Sequence, residues 1–479
     1  MSASYLFRAS LLLYFILMPA TIPMAYGQTE LPDLGQSDTS LVTRAHERKI
    51  AEQVMRNLRH ADLILDDPEL SEYIQSLGHR ISRNSEWQGD GFHFFIIKDM
   101  EVNAFALPAG YIGIHIGLFL TSRTEDELAS VLAHEIAHIT QRHYSRGYEF
   151  SKQQNALLAA AVIAALAIGS QDSNASAALL MGGMANSLAS QLSFSRGNER
   201  EADWLGIDLL TKSGYNPRAM ASFFERLQQA NRYNESAAPE YLRTHPVTTN
   251  RISDARSRAQ DLEGGSPEPG YDYELMWHKL AALSDVDKGR YQGPEKKALT
   301  QEYSQALEAF AKGRYQTAMT HVEEGLARRA NQPSLLLLKA RIAGKNQRPD
   351  KAIEIYEELH ALYPSQISIH LAHAELLLQH NRADEAKHTL RQASRRHAPD
   401  HPQILRLLAD SEMKLGNRSA SHRYLADYYF NIGNPHAALR QVEIALQETN
   451  PGFYEKEELE ARYQMLQQHI QLLAQLPTP

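Results

Sequence analysis

The sequence predicts an α+β domain, mostly helical with a small sheet, followed by an all-α repeat solenoid. Three observations predict it. The first half mixes short β-rich runs with helical patterns, and the second half is helical almost throughout. Between them Gly264-Gly265-Ser266-Pro267-Glu268-Pro269-Gly270 breaks the composition and reads as a linker. In the second half KGRYQTA, QRPDKA, NRADEA and LGNRSA end at Ala318, Ala352, Ala386 and Ala420, each 34 residues after the last. The expected division is a leader over 1–27, a first domain over 28–263, a linker and connecting helix over 264–295, and repeats over 296–479.

The leader carries Arg8, an apolar run Leu11–Met18 and Ala25-Tyr26-Gly27, the pattern of a secretory signal peptide cleaved after Gly27. Its apolar core is too short to span a bilayer. The chain has no Cys, so it uses neither disulfides nor thiolate chemistry, which suits a bacterial periplasm. Net charge is −8 with no basic tract, which argues against a nucleic-acid partner.

Phe92–Ile97 is β-rich, and Tyr111–Phe119 alternates as a strand does, with Asn103–Gly110 as a turn-rich connection between them. An extended peptide is expected to pair with an exposed edge near Tyr111–Phe119. Thr124-Glu125-Asp126-Glu127 is a capping box that starts a helix. On that helix Leu128, Val131, Leu132, Ile136 and Ile139 make a buried face, and Ala129, Ala133 and Ala137 form a small-residue stripe for close packing.

His134-Glu135-x-x-His138 lies on the same helix. With 21 His in the chain, the string arises by chance in roughly one such chain in twenty. Its context argues against chance. Two imidazoles at i and i+4 project to one side of a stiff helix, as zinc requires, and Glu135 lies between them and the core. A third ligand is needed. Residues 193–210 read as another helix, on which 100° per residue groups Glu199 with Asp203, Gly206 and Leu210 beside an apolar stripe. Glu201 falls on a different side, nearer Asp208. Glu199 is therefore the better ligand, and Asp203 is placed to bond a ligand histidine or handle a proton.

His143, five residues after His138, is expected to face away from the pair, near the helix C-terminus where a cation is favoured. His370, His373 and His380 match no ligand spacing and are expected at surface or repeat positions. Leu157–Gly169 reads as a buried helix or as one that covers a pocket or touches a membrane, and Met181–Met184 as a flexible stretch. Pro333, Pro364 and Pro399 follow second helices of the repeat units. Beyond Ala420 the register breaks, because IGNPHAA arrives early.

NAFALPAGYI, HEIAH, the Glu199-x-x-x-Asp203 helix and RTHPVTTNRI resemble the gluzincin metallopeptidases of the HtpX and CAAX prenyl protease type. The signal peptide and a tail that resembles tetratricopeptide repeats are similar to the periplasmic branch that assists β-barrel assembly. The resemblance implies a zincin-like domain with one zinc per subunit on His134, His138 and Glu199, and Glu135 as general base. It implies Asp203 as proton donor, a role that orientation of a histidine fits equally well. His245, before Pro246 in the first turn of a helix, either stabilises the oxyanion or takes the open zinc position and holds the enzyme latent. Arg251 is expected to bind substrate or intermediate. The implied partner is the outer-membrane β-barrel assembly machinery, with unfolded or misassembled outer-membrane proteins as substrates and room for a peripheral membrane contact. The expected function is a periplasmic zinc endopeptidase with chaperone-like activity. The alternative is a repeat-based assembly factor with latent proteolysis.

Overall fold

The structure, a computed structural model, describes residues 44–475 except 88, 90, 144–195, 233–238, 266–272, 285–290, 292, 295–296, 397–399 and 449–452. The expected leader, Leu157–Gly169, Met181–Met184, Pro399 and most of the expected linker lie outside the described residues.

Helices α1 (Arg44–His60) and α2 (Pro68–Ser82) precede a three-stranded sheet. Asp67 caps α2 by accepting from the Leu70 N–H, and Pro68 fills the first helical position, where no donor is needed. The sheet has the order β1 (His93–Ile97), β3 (Tyr111–His115), β2 (Ala104–Leu107). β1 runs parallel to β3 and β2 antiparallel to it.

The sheet corrects three expectations. Asn103–Gly110 is more than a connection, because Ala104–Leu107 pairs with Tyr111–Ile114. The strand expected to reach Phe119 stops at His115, and Ile116–Thr121 forms α3. There the Gly117 N–H bonds the Asp99 carbonyl at 3.0 Å, and a β-carbon on Gly117 would collide with the Met100 carbonyl. β3 is also the central strand, so it has no free edge for a peptide; β2 is an edge strand.

Helix α4 (Glu125–Thr140) starts as expected, with the Thr124 hydroxyl accepting from the Glu127 N–H at 3.3 Å. It is buried all round from Glu127 to Ile139 rather than along one face. Next come α5 (Arg196–Lys212), α6 (Ala219–Arg232), α7 (Glu240–Thr244) and α8 (Thr249–Gln260). Thr248 caps α8, so Pro246 lies between α7 and α8 and not in a first helical turn. On α9 (Tyr273–Leu283) the Trp277 indole donates to the Leu120 carbonyl at 3.1 Å, and the Tyr273 hydroxyl to that of Ser122 at 2.7 Å.

The repeats run through α10 (Ala298–Ala311), α11 (Tyr315–Arg328), α12 (Pro333–Lys345), α13 (Pro349–Leu362), α14 (Ile367–Gln379), α15 (Ala383–Arg396), α16 (Pro402–Lys414), α17 (Arg418–Asn431), α18 (Pro435–Gln447) and α19 (Phe453–Gln475). Ala318, Ala352 and Ala386 are fully buried, as small residues at helix crossings must be. One apolar core joins the sheet, α4, α9 and the first repeats, through Ile112, Leu132, Trp277, Tyr303 and Val322. Polar contacts cross between the same parts. Glu72 on α2 accepts from the Ile367 and Ser368 N–H groups and from the Ser368 hydroxyl at the start of α14. Buried Lys279 pairs with Asp67 and Glu69 at 2.7 and 2.5 Å. Arg59 on α1 donates to the Asn431 carbonyl at the end of α17. Among the described residues, no helix is long and apolar enough to cross a membrane.

Candidate active site

Two helices build the site. On α4 the i, i+4 spacing aims His134 and His138 the same way, and their Nε2 atoms lie 3.0 Å apart. Helix α5 crosses α4 at this level. Gly206 makes the close approach: a β-carbon there would lie 3.2 Å from the His134 backbone nitrogen and 3.0 Å from Met220. One turn and more upstream on α5 are Asp203 and Glu199. Glu199 reaches His138 Nε2 at 3.4 Å and His134 Nε2 at 3.6 Å.

His245, at the C-terminal end of α7, completes the cluster. Its Nδ1 lies 3.1 Å from Glu199 and 3.3 Å from His134 Nε2. Donor atoms of His134, His138, Glu199 and His245 all fall within 4.8 Å of one another, and all four residues are buried. The four residues offer Lewis-base donors, imidazole nitrogen and carboxylate oxygen, that suit a borderline divalent metal.

Asp203 and Arg251 stand behind this cluster. The Asp203 carboxylate lies 3.0 Å from His134 Nδ1 and takes two 2.7 Å bonds from the Arg251 guanidinium. Arg251 also reaches Glu199 at 2.7 Å and donates to the Pro246 carbonyl at 2.9 Å. One planar cation thus fixes both carboxylates and the turn that carries His245.

The electrostatics follow from burial and these neighbours. Burial raises the Glu135 carboxyl above its ordinary value, against the pull of His245 and His134. Neither Glu135 oxygen has a hydrogen-bond partner, and the nearest ring nitrogen is His245 Nε2 at 3.6 Å. Burial and the surrounding imidazoles push His138 well below its usual value, so it is neutral, as a metal ligand must be. Burial would raise Glu199 and Asp203. His245 with His134 and Arg251 outweighs it at Glu199, Arg251 with His134 outweighs it at Asp203, and both stay low.

Two residues near the site were not legible as such. Helix α4 ends at Thr140, and Arg142 takes φ 50°, which turns the chain back and lays His143 against His138. Their Nδ1 atoms are 2.8 Å apart, and His143 Nε2 meets Glu201 at 3.1 Å. The expectation that His143 faces away is therefore corrected, because helical angles do not extend past a helix end. Glu201 faces His143 and not the ligand cluster, while Asp208 pairs with Arg258. Tyr241, four residues before His245 on α7, stacks on the His245 ring at 4.9 Å with its hydroxyl fully buried.

The repeat histidines lie far from this cluster in the fold's second half. His370 and His373 are buried against His360, and His380 is exposed. Burial pushes His373 down to about 4, so it packs as a neutral ring.

Comparison with known proteins gives a consistent picture. Residues 68–259 match peptidase family M48, and residues 303–367 and 345–411 match the tetratricopeptide repeat. The chain is 30% identical over 449 residues to the β-barrel assembly-enhancing protease of Escherichia coli (strain K12), covering 91% of each. It is 40% identical over 253 residues to a putative β-barrel assembly-enhancing protease of Vibrio cholerae serotype O1, covering 53% of this chain and 52% of that one. It is 28% identical over 225 residues to the mitochondrial metalloendopeptidase OMA1 of Arabidopsis thaliana, covering 47% and 43%.

Proposed function

This chain belongs to peptidase family M48, with the β-barrel assembly-enhancing proteases, and is a metalloendopeptidase; on that premise we propose that its metal is zinc, held by His134, His138 and Glu199. One observation carries the zinc assignment. The two imidazole Nε2 atoms are 3.0 Å apart, and the Glu199 carboxylate faces both, with one oxygen 3.4 Å from His138 and the other 3.6 Å from His134. Tetrahedral zinc with bonds of ~2.0–2.1 Å sets its ligand atoms about 3.3 Å apart. Zinc held there would supply Lewis acidity toward a scissile carbonyl and a water molecule.

Glu135 is the general base. Its two oxygens are buried, without hydrogen-bond partners, and beside the donor cluster. There it takes the proton from the attacking water and delivers it to the leaving amine. Asp203 acts as a positioning group for His134 rather than as the proton donor. Both its oxygens are engaged by Arg251, and one also faces His134 Nδ1. Arg251 orients the carboxylates of Glu199 and Asp203. His245 gates the site, since its Nδ1 lies at ligand spacing from both His134 and Glu199. The substrate strand is placed along the edge strand β2, not β3.

The relatives' names support action in β-barrel assembly, and hence a periplasmic location in a Gram-negative cell, where a cleaved leader would deliver the chain. Unfolded or misassembled outer-membrane proteins are the substrates. The repeats offer a surface for the outer-membrane assembly machinery, with peripheral membrane contact. Protease names among the relatives favour this assignment over a repeat-based factor with latent proteolysis.

The test is zinc analysis of purified protein with casein digestion. Glu135→Gln keeps the shape and loses the base, so it should hold zinc and lose roughly 10²–10⁴ in rate. Near wild-type cleavage by this variant, with contamination excluded, would sink the assignment. Glu199→Gln should lose zinc while Glu201→Gln keeps it; the reverse result would reassign the third ligand.

A further inference from the structure

We infer that His143 and Glu201 form a second positioning relay, which fixes the ring of His138 from outside the ligand cluster. It rests on the proposed zinc reading and adds to it. Three observations carry it. His143 is only 1% exposed, and its Nδ1 sits 2.8 Å from His138 Nδ1. The two rings meet edge to face at 4.8 Å between centroids. On its far side His143 Nε2 lies 3.1 Å from Glu201 Oε2.

The protons can be assigned in one consistent order. His138 turns Nε2 toward His134 and Glu199, so its proton is on Nδ1. That N–H donates to the bare Nδ1 of His143. The proton of His143 is then on Nε2, where it donates to the Glu201 carboxylate. Every donor in the chain meets an acceptor, and the other tautomer of His143 would set two N–H groups against each other. Glu201 thus selects the tautomer of His143, and His143 selects that of His138.

The two ligand histidines are therefore held in different ways. His134 leans on a carboxylate that Arg251 pins inside the protein. His138 leans on a neutral imidazole, which in turn meets a Glu201 side chain that is 39% exposed. Helix α5 supplies both relays, through Asp203 to one histidine and Glu201 to the other, while Glu199 in its first turn faces His134 and His138. Outer partners of ligand histidines set ring orientation and basicity, and losing one weakens metal binding by roughly 10- to 100-fold.

The test is competition for zinc between the full chain and a chromophoric chelator, with folding of each variant checked by thermal denaturation. His143→Ala should release zinc roughly 10- to 100-fold more readily than wild type. Glu201→Ala, at a half-exposed position that tolerates truncation, should weaken zinc in the same direction. Glu201→Gln, whose carbonyl still accepts from His143, should restore most of it. The double variant His143→Ala/Glu201→Ala should bind zinc no more weakly than His143→Ala alone, because a relay is not additive. Unchanged zinc affinity in folded His143→Ala, or fully additive losses in the double variant, would overturn the relay. His138→Ala separates the two readings: if it too keeps wild-type zinc, the ligand assignment itself fails, not the relay alone.

Discussion

His245 occupies a position that two roles would share. Its Nδ1 lies 3.3 Å from His134 Nε2 and 3.1 Å from Glu199, and its Nε2 is 3.6 Å from Glu135. On the proposed zinc reading a ring so placed would close the position a substrate needs, and Tyr241 stacked against it would steady that pose. His245→Ala should therefore leave zinc bound and raise cleavage of loosely folded proteins. A fall in kcat of roughly 10²–10³, with no gain on any substrate, would assign the ring to the oxyanion instead. At this scale the sequence was legible where a long, regular helix carried the residue. The 100° rule that grouped Glu199 with Asp203 works because α5 is regular from Arg196 to Lys212. The same rule misplaced His143, since Arg142 leaves the helix in the left-handed region. Tyr241 gave no signal, because its relation to His245 depends on a five-residue helix.

Between helices, the decisive feature is the crossing of α4 and α5 at Gly206. The space there is already tight for a single β-carbon. Gly206→Val should push the helices apart, destabilise the protein by about 1–3 kcal/mol and weaken zinc binding together. Calorimetry and chelator competition on the same samples check this; a lower Tm with wild-type zinc affinity would show that the crossing does not set the ligand geometry. Element starts were legible, because caps are local: Thr124 bonds the Glu127 N–H as its spacing requires. Strand β2 was not. Asn103 and Pro108 frame only four apolar residues, and what makes them a strand is pairing with β3. The early end of β3 depends on Gly117 packing under the Met100 carbonyl, a contact no periodicity records.

For the molecule as a whole, one carboxyl joins the peptidase part to the repeats. Burial pushes Glu72 up to about 7, against its bonds from Ser368 and Ile367. An acid raised above its unfolded value binds more protons when folded, so stability falls as pH climbs from about 4.5 to about 7. The change is of order 3 kcal/mol at most. Glu72→Gln cannot ionise, so its Tm relative to wild type should rise between pH 5 and pH 8. A difference that stays flat across that range would remove Glu72 from the pH response. The 34-residue period made the solenoid legible, but not its seat on α1 and α2, which depends on single contacts between distant residues. One of these has a consequence in time. Arg59 bonds the carbonyl of Asn431, 372 residues further along the chain, and Gly433 packs on the Arg56 carbonyl with no room for a side chain. The first described helix is thus completed by one of the last repeat helices. A chain emerging N-terminus first at ~5–20 residues per second waits roughly 20–70 s between making α1 and making its partner. Through that interval α1 shows a surface meant for α17, and a chain cut short before residue 431 never covers it.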